Sequence, residues 1–519
     1  MPKPISFGEL DFNLVSSMEE TQGASEAETP FRILLMGDFS GRTNRGRDQS
    51  GVALTNLRPI LVDRDNFDNV LAKLAVEIHL PIFGGNAPLC SIQFSELDDF
   101  HPDALYRRLE VFHALKDTRE SLKDPAIFSA VAEESQDAES PVEAPESRKE
   151  DQEILPGTVK QTTGDLLDRI IEQTTGEPTQ SKAGQPASEW DSFLQEIVGP
   201  HLAPSPHPQL DEMFAAVDAA TGELTRMILH HPDFQTVEAA WRGLSFLVKR
   251  LETGAQLQLY LLDLSKADLA EDLNRTEDLR KTGIYRILVE EAVETAGGEP
   301  WAVVAGNYTF EQNLDDIELL GRMAKIAKAA GAPFISAVGT HLLGCESLAE
   351  IPDPDDWHEK PDTEDSPAWE ELRRIPEASY LGLALPRFLL RLPYGEDTDP
   401  VEQFDFEEMP SEPDHNYYLW GNPCFACVYL LAQAFIHHGW NLRSGVIRDI
   451  EGLPLHIYKE HGEFRIKPCA EVVLTERAVE RILDYGIMPL LSFKDQDTIR
   501  LARFQSIADP LTSLAGRWS

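Results

Sequence analysis

Short apolar runs and helix-spaced apolar residues alternate along most of the chain. In RPILVDRDNFDNVLAKLAVEIHL, an apolar run precedes a helical repeat and a second apolar run; the repeat consists of Phe67, Val70, Leu71 and Leu74. The pattern predicts a strand, an amphipathic helix capped by Asp or Asn, and another strand. The next string, SIQFSELDDFHPDALYRRLEVFHAL, predicts a strand, an acidic turn and a helix that begins near Pro102.

The longest regular pattern lies in ILHHPDFQTVEAAWRGLSFLVKRLETG and predicts a helix that begins near Pro232. Its apolar residues recur at steps of three and four and form one seam, which comprises Phe234, Val237, Trp241, Leu244, Val248 and Leu251. Glu238 and Arg242 are four residues apart and can pair along the flank of the seam. We expect Trp241 to be a packing residue where this helix meets a sheet.

The second half of the chain has the pattern of an α/β fold. EPWAVVAGNYTF predicts a buried strand, and DDIELLGRMAKIAKAAGAPFISAVG predicts a helix closed by Gly331 and then another buried strand. Short apolar strands joined by such helices are typical of a parallel sheet with crossover helices. We therefore expect a mixed α/β protein, although order along the chain does not define the order of strands in the sheet.

Composition divides the chain into segments. The string EESQDAESPVEAPESRKEDQE, at 133–153, is rich in Glu, Ser and Pro and has almost nothing to bury, which predicts a disordered linker. We expect a disordered tail at 1–29, a small α/β domain at 30–130, an acidic linker at 131–157 and a larger α/β domain at 158–519. A second acidic, proline-rich stretch near 350–371 predicts a surface insertion in the larger domain.

The net charge of the chain indicates which classes of partner it binds poorly. Its 519 residues include 89 acidic and 46 basic ones, and the formal net charge is −43. Phosphate backbones and anionic headgroups would repel such a chain, so nucleic acid and membranes are poor partners. No stretch approaches the roughly 18 apolar residues of a membrane span, and the five scattered cysteines do not indicate a disulfide framework. We expect a cytoplasmic protein.

The string PFRILLMGDFSGRTNRGR raises the question of a nucleotide site, because it resembles a strand that leads into a phosphate loop. A Walker loop requires G-x-x-x-x-G-K-[ST] before a helix. Here Gly37 and Gly41 are one residue too close, and Arg42 stands in place of the lysine. We interpret the string as a buried strand that ends in a turn, with no bound nucleotide.

Two groups of side chains have an alternative, chemical interpretation. Asp98 and Asp99 could be paired catalytic carboxylates, but their position between a strand and a helix favours turn and cap residues. His230, His231 and Asp233 could bind a metal, but they lie at a helix entrance without a further ligand cluster. We expect neither group to be an active site.

Cys424 and Cys427 have redox spacing, yet they lie within the apolar string NPCFACVYLLAQAF. Cysteines in such surroundings usually behave as small buried hydrophobic residues. His437 and His438 are at a predicted helix end, and no G-x-S-x-G or H-E-x-x-H motif accompanies them. We expect no enzyme activity, no cofactor and no metal.

Several strings resemble a known family, the sheath proteins of type VI secretion systems. GDFSGR, VDRDNFDNVLAKL and FSELDDFHPDAL resemble the small sheath subunit, the TssB or VipA type. From about Gln209 to about Gln505 the chain is similar to the large subunit, the TssC or VipB type, through HHPDFQTVEAAWRGL, AVVAGNYTF, APFISAV, ALPRFLLRLPYG, FDFEE, YLWGNP, EGLP and AEVVLTERAVERILDYGIMPL. The matching positions are Gly37, Asp38, Gly41, Asp65, Asn66, Phe67, His231, Pro232, Pro386, Arg387, Leu392, Pro393, Tyr394, Gly395, Trp420, Gly421 and Asn422.

The chain departs from the family pattern in two respects. Both subunit types lie in one chain, whereas the familiar systems have them as separate proteins. The sequence also ends at LAGRWS, soon after RFQSI, where the familiar large subunit continues into a region used for subunit contacts. From this second departure we expect sheath polymerisation to differ from that of the familiar systems.

The resemblance implies a mechanical role: a fused sheath protomer that polymerises around an inner tube, its many contacts switching together between two packings. The implied partners are copies of itself or other sheath subunits, the inner tube protein, the baseplate and a disassembly ATPase. An alternative is a sheath-like accessory protein that caps or regulates assembly without polymerising. The sequence also leaves open whether the two parts pair within one chain or between chains.

Overall fold

The computed structural model describes residues 6–10, 29–46, 54, 57–82, 89–123, 210–357, 366–410, 413–442 and 448–518. The acidic linker expected at 131–157 lies outside the described residues, as do 11–28 of the expected tail and 358–365 of the expected insertion. Among the described residues, none of the helices combines the length and the apolar character needed to cross a membrane.

Fifteen strands are present among the described residues: β1 Phe31–Gly37, β2 Ile60–Val62, β3 Val76–Leu80, β4 Cys90–Phe94, β5 Leu257–Asp263, β6 Val303–Phe310, β7 Phe334–Val338, β8 Leu381–Leu385, β9 Phe388–Leu389, β10 Trp420–Gly421, β11 Asp449–Ile450, β12 Ile457–Glu460, β13 Glu463–Ile466, β14 Met488–Ser492 and β15 Ile499–Leu501.

Eleven α-helices accompany these strands in the described residues: α1 Phe67–Leu74, α2 Pro102–Arg108, α3 His113–Lys123, α4 Leu210–Leu229, α5 Pro232–Arg250, α6 Lys266–Asn274, α7 Gly283–Tyr285, α8 Leu314–Ala330, α9 Ser366–Arg374, α10 Pro423–His438 and α11 Glu476–Asp484. A π-helix over Arg286–Glu294 continues α7. Helices that begin near Pro102 and Pro232, as the sequence predicts, are confirmed.

Nine of the strands form one sheet, in the order β11-β15-β14-β8-β7-β6-β1-β5-β2. The six strands from β14 to β5 are parallel to one another, and the flanking strands β15 and β2 are antiparallel to their neighbours. The prediction of a mixed α/β fold is confirmed. The crossover helices lie on both faces, as parallel connections require.

Strand β1 lies in the middle of this sheet, although it precedes the acidic linker in sequence. It pairs in parallel with β5 on one side, from Phe31 opposite Leu257 to Gly37 opposite Asp263, and with β6 on the other. Both of its neighbours come from the part of the chain after the linker. The small and large parts therefore share a sheet within one chain.

The side chains of β1 are buried on both faces of the sheet. Phe31, Ile33 and Leu35 belong to the core beneath α5 and α10, whereas Leu34 and Met36 belong to the core beneath α6 and α8. This explains why β1 has a continuous apolar sequence instead of an alternating one. Replacing β1 would remove apolar contacts from both cores at once.

The helix α5 packs against the sheet along the seam that its sequence indicates. The six seam residues from Phe234 to Leu251 are all buried. On another side of the helix, Gly243 faces α10 so closely that an added Cβ atom would lie 2.4 Å from the Phe425 ring. Because α5 has no side chain there, the ring of Phe425 can lie directly against its backbone.

Candidate functional site

The loop after β1 is held by a carboxylate of the large part. The Asp263 Oδ1 atom accepts hydrogen bonds from the backbone N–H groups of Phe39, at 2.9 Å, and Ser40, at 3.0 Å. The Arg42 guanidinium group pairs with the same carboxylate and donates to the Asp263 carbonyl oxygen at 2.5 Å. The amide groups that would face a phosphate in a nucleotide-binding loop thus bond an internal carboxylate, which makes the loop an anchor between the two parts.

The shape of this anchor loop depends on Asp38 and Gly41. The Asp38 carboxylate accepts from the backbone N–H groups of Arg42 and Thr43, both at 2.9 Å. Gly41 has a φ of 72°, and an added Cβ atom would lie 2.7 Å from the Glu77 carbonyl oxygen. A residue with a side chain would therefore be strained and would clash with β3.

Trp241 of α5 is enclosed by aromatic residues of the small part. Its indole N–H donates to the Phe39 carbonyl oxygen at 2.7 Å, and the whole residue is buried. The rings of Phe39 and Phe67 meet it edge-on, with centroids 5.7 and 5.6 Å away. The sequence predicts a packing role for Trp241, but its partners belong to the other part of the chain.

A second buried feature, the arginine–glutamate cluster, consists of Glu238, Arg242, Arg391, Tyr394 and Glu408. Arg391 lies between two fully buried carboxylates. It donates from Nε to Glu238 at 2.8 Å, and from Nη1 and Nη2 to Glu408 at 2.7 and 3.0 Å. Such charge-assisted, two-pronged contacts are strong and restrict geometry.

The rest of the cluster completes the hydrogen bonding of these charges. Arg242 donates to Glu238 at 2.6 Å and to the Tyr394 hydroxyl at 2.8 Å. Glu408 also accepts from the Tyr394 backbone N–H at 2.7 Å, and the Arg391 guanidinium group lies 4.2 Å from the centre of the Tyr394 ring. Two guanidinium groups thus face two carboxylates, so the buried charges balance.

The surroundings of Glu408 shift its pKa. Burial alone would raise this pKa, but the charge of Arg391 and the hydrogen bond with His230, 3.2 Å away, lower it from 4.5 to about 2. Burial raises the pKa of Tyr394 to about 12, although the neighbouring arginines oppose the shift. Glu408 is therefore charged and Tyr394 is neutral at neutral pH.

Some of the family-motif residues of the large part lie in or near this cluster. His231 accepts from the Asp233 backbone N–H at 3.3 Å and caps α5, and Pro232 is the first residue of that helix. Tyr394 is a member of the cluster, and Leu392, Pro393 and Gly395 are its neighbours in sequence.

Other motif residues lie at separate positions. Arg387, which follows Pro386, pairs with Glu471 at 2.6 Å. Trp420 and Gly421 form β10, and the Asn422 side chain caps α10 by accepting from the Cys424 backbone N–H at 2.9 Å. In the small part, the turn before α1 contains Asp65 and Asn66, whose backbone N–H groups donate to Asp63 at 3.0 and 2.9 Å.

The side chains with an alternative chemical interpretation have structural contacts. Asp99 accepts from the backbone N–H groups of Ser95 and Glu96 at 2.6 and 3.2 Å. Cys424 and Cys427 are fully buried in α10, and burial raises the pKa of the Cys427 thiol to about 12. Within the described ranges, no group of three or more His, Cys, Asp and Glu side chains is arranged to hold a metal ion.

Sequence reasoning missed Asp263, Arg391 and Glu408. Asp263 ends a mostly apolar strand, and Arg391 interrupts the apolar run FLLRL. A charged residue inside an apolar run is costly to bury unless it is paired, so these positions carried a usable signal. Their partners were not apparent because Asp263 bonds to Phe39, 224 positions away, and Arg391 bonds to Glu238, 153 positions away.

The two parts of the chain match two different families. Residues 211–508, more than half of the chain, match the family described as "EvpB/VC_A0108, tail sheath N-terminal domain". Residues 13–150 match the family described as "Type VI secretion system, VipA, VC_A0107 or Hcp2". The chain belongs to the type VI secretion tail sheath family. The expectation that this sheath protein combines a small-subunit part and a large-subunit part is confirmed.

This sheath protein is also similar to a characterised relative. It is 36% identical over 307 residues to the type VI secretion system sheath protein TssC1 of Pseudomonas aeruginosa. The match covers 58% of this chain and 62% of the relative, so the chain spans about three-fifths of that protein's length.

Proposed function

We propose that this sheath protein is a structural, non-catalytic protomer of a type VI contractile sheath, with both subunit types in one rigid building block. The position of β1 between β5 and β6 supports this proposal most directly. Seven residue pairs connect β1 to β5, so the two parts are joined by backbone hydrogen bonds and by two cores. A block of this kind moves as a unit when force is applied to either part.

The anchor loop and the arginine–glutamate cluster support the same proposal. Both place paired charges in a buried setting, where breaking a pair would leave an uncompensated charge. Such contacts favour one arrangement of the surrounding elements over others. A protomer that repacks against its neighbours during contraction requires an interior that does not deform.

Family membership is the basis on which we propose the partners. The protomer assembles with copies of itself or with other sheath subunits, and in the cytoplasm it acts with an inner tube, a baseplate and a disassembly ATPase. The net charge of −43 is consistent with protein partners instead of nucleic acid.

Negative-stain electron microscopy of the purified full chain tests assembly. We expect filaments or rings whose number rises with protein concentration. Isolated particles at every concentration would contradict the proposed role as a polymerising protomer.

Cleavage of the linker tests whether the two parts form one block. A protease site introduced within 131–157 should be cut without separating the products, which should elute together in gel filtration. The uncut protein with the same inserted site is the control. Fragments that separate in buffer without denaturant would contradict the shared sheet.

A further inference from the structure

A groove crosses α5 near its C-terminal end, where the small and large parts meet. Its volume is about 390 Å³, at the lower end of the roughly 300–1,000 Å³ that is usual for binding pockets. Its floor contains half-buried apolar residues from three segments, namely Leu97, Phe246, Leu390 and Leu392. We call this feature the α5 groove.

The α5 groove is cationic in a strongly acidic protein. Its charged lining residues are Arg242, Lys249 and Arg250, and no acidic side chain of the described residues lines it. Glu238 pairs with Arg242. Among the described residues, Arg250 donates to the backbone carbonyl oxygens of Glu451 and Gly452.

Lys249 is exposed and forms no salt bridge with a described residue, and on its other side it lines a neighbouring pocket together with Asp68, Glu96 and Asp98. With Arg250, it gives the groove two positive charges that no described carboxylate pairs with. A binding partner for the groove should therefore be both apolar and acidic.

The chain itself contains a segment of this chemistry, at 188–200, outside the described residues. The string SEWDSFLQEIVGP has apolar residues at helical spacing, namely Trp190, Phe193, Leu194, Ile197 and Val198. Ser188 and Asp191 have the spacing of a capping box, and Gly199 followed by Pro200 is a helix stop. The sequence therefore predicts an amphipathic helix over 189–198.

The charge of this segment is complementary to the groove. It contains Glu189, Asp191 and Glu196, and it has no Lys or Arg. Its carboxylates can pair with Lys249 and Arg250 at the groove rim while its aromatic residues cover the apolar floor.

The connection to α4 is long enough for binding within one molecule. Residues 199–209 separate the segment from Leu210, where α4 begins, and an extended chain of this length spans about 40 Å. A compact chain of this size has a radius of gyration of roughly 24 Å. The segment can therefore reach any part of its own molecule that lies within about 40 Å of Leu210 along an open path.

We propose that residues 189–198 bind in the α5 groove of the same chain as an acidic amphipathic helix. The helix contacts Leu97 of the small part and α5 of the large part, so it fastens the junction from outside. This interaction is independent of whether the protein polymerises.

Amide hydrogen exchange measured by mass spectrometry on the full chain tests the proposal. In the parent protein, amides at 190–198 should exchange at least about tenfold more slowly than in a free peptide of the same sequence. The double variant Lys249→Glu/Arg250→Glu should lose that protection. The control Lys494→Glu/Arg503→Glu makes the same charge change at exposed residues elsewhere and should retain it.

A binding experiment with a labelled peptide of residues 186–200 gives a second readout. The full-length variant Phe193→Ser/Ile197→Ser should release its own segment and bind the peptide at least about tenfold more tightly than the parent, whose groove is occupied. Adding Lys249→Glu to this variant should weaken peptide binding, and Glu196→Lys in the peptide should restore it.

Three results would overturn the proposal. The first is free-peptide exchange rates at 190–198 in the parent, and the second is equal peptide binding by the parent and the Phe193→Ser/Ile197→Ser variant. The third is protection that disappears on dilution, which would show that a second copy supplies the segment.

Discussion

The indole N–H of Trp241 donates to the carbonyl oxygen of Phe39 at 2.7 Å, and this bond connects residues 202 positions apart. Phe39 belongs to the small-subunit part and Trp241 to the large-subunit part. A hydrogen bond from a buried indole leaves neither group without a partner. The junction is therefore built as a protein interior, although it joins parts of the chain that match two different families.

Trp241→Ala should destabilise the protein by about 3–5 kcal/mol, because it removes a buried ring and leaves the Phe39 carbonyl oxygen without its donor. Thermal and urea unfolding of the two proteins would measure this. Asp356→Ala is the control: its exposed side chain should contribute less than about 0.5 kcal/mol. If Trp241→Ala melts like the parent but no longer assembles, Trp241 is an interface residue and its placement in the core is wrong.

Arg391→Met should destabilise the protein by about 3–5 kcal/mol, because it leaves the buried carboxylates of Glu238 and Glu408 without their shared cation. The matched control, Arg374→Met, breaks an exposed pair with Glu370 and should cost less than about 0.5 kcal/mol. Urea unfolding at neutral pH compares the two. Equal stability of the variants would show that the cluster adds nothing beyond a surface ion pair.

The stability of the parent should fall as the pH drops from about 4.5 toward 2, partly through Glu408. The pKa of Glu408 is about 2 in the folded protein against 4.5 unfolded, so the unfolded chain binds the proton first. This contribution is complete above about pH 4.5 and is lost as the pH approaches 2. Glu408→Gln should be less stable than the parent at pH 7 but lose less on acidification. Parallel stability curves for the two proteins would contradict this assignment.

ATP and GTP should not bind at Gly37 to Arg42, because the loop amides of Phe39 and Ser40 already bond to Asp263. Isothermal titration calorimetry should give no binding heat for either nucleotide. Micromolar affinity that disappears in Arg42→Ala would show that the loop is a nucleotide site.

The double variant Cys424→Ala/Cys427→Ala should assemble like the parent and differ only by a modest packing cost, because both thiols are buried and protonated. Elemental analysis of the purified parent should find no zinc. One zinc ion per chain, lost in the double variant, would contradict the packing role.

Local sequence explains many of the individual elements. A proline at the first helical position and an apolar seam place α2 and α5, because capping and periodicity involve only near neighbours. Cap chemistry was less predictable: Asn66 occupies the cap position of α1, but its side chain bonds to Asp63 and Leu61 instead of the helix. Several backbone and side-chain acceptors compete at such a turn, and sequence does not rank them.

By itself, the sequence determined the fold class, the starts of α2 and α5 and the relationship to two sheath subunit types, since these depend on short patterns and ordered motifs. Only the tertiary structure decided that β1 lies between β5 and β6, and that Arg391 lies between Glu238 and Glu408. Strand order and buried ion pairs join residues far apart in sequence. They depend on how apolar faces are covered in three dimensions, which the order of elements along the chain does not specify.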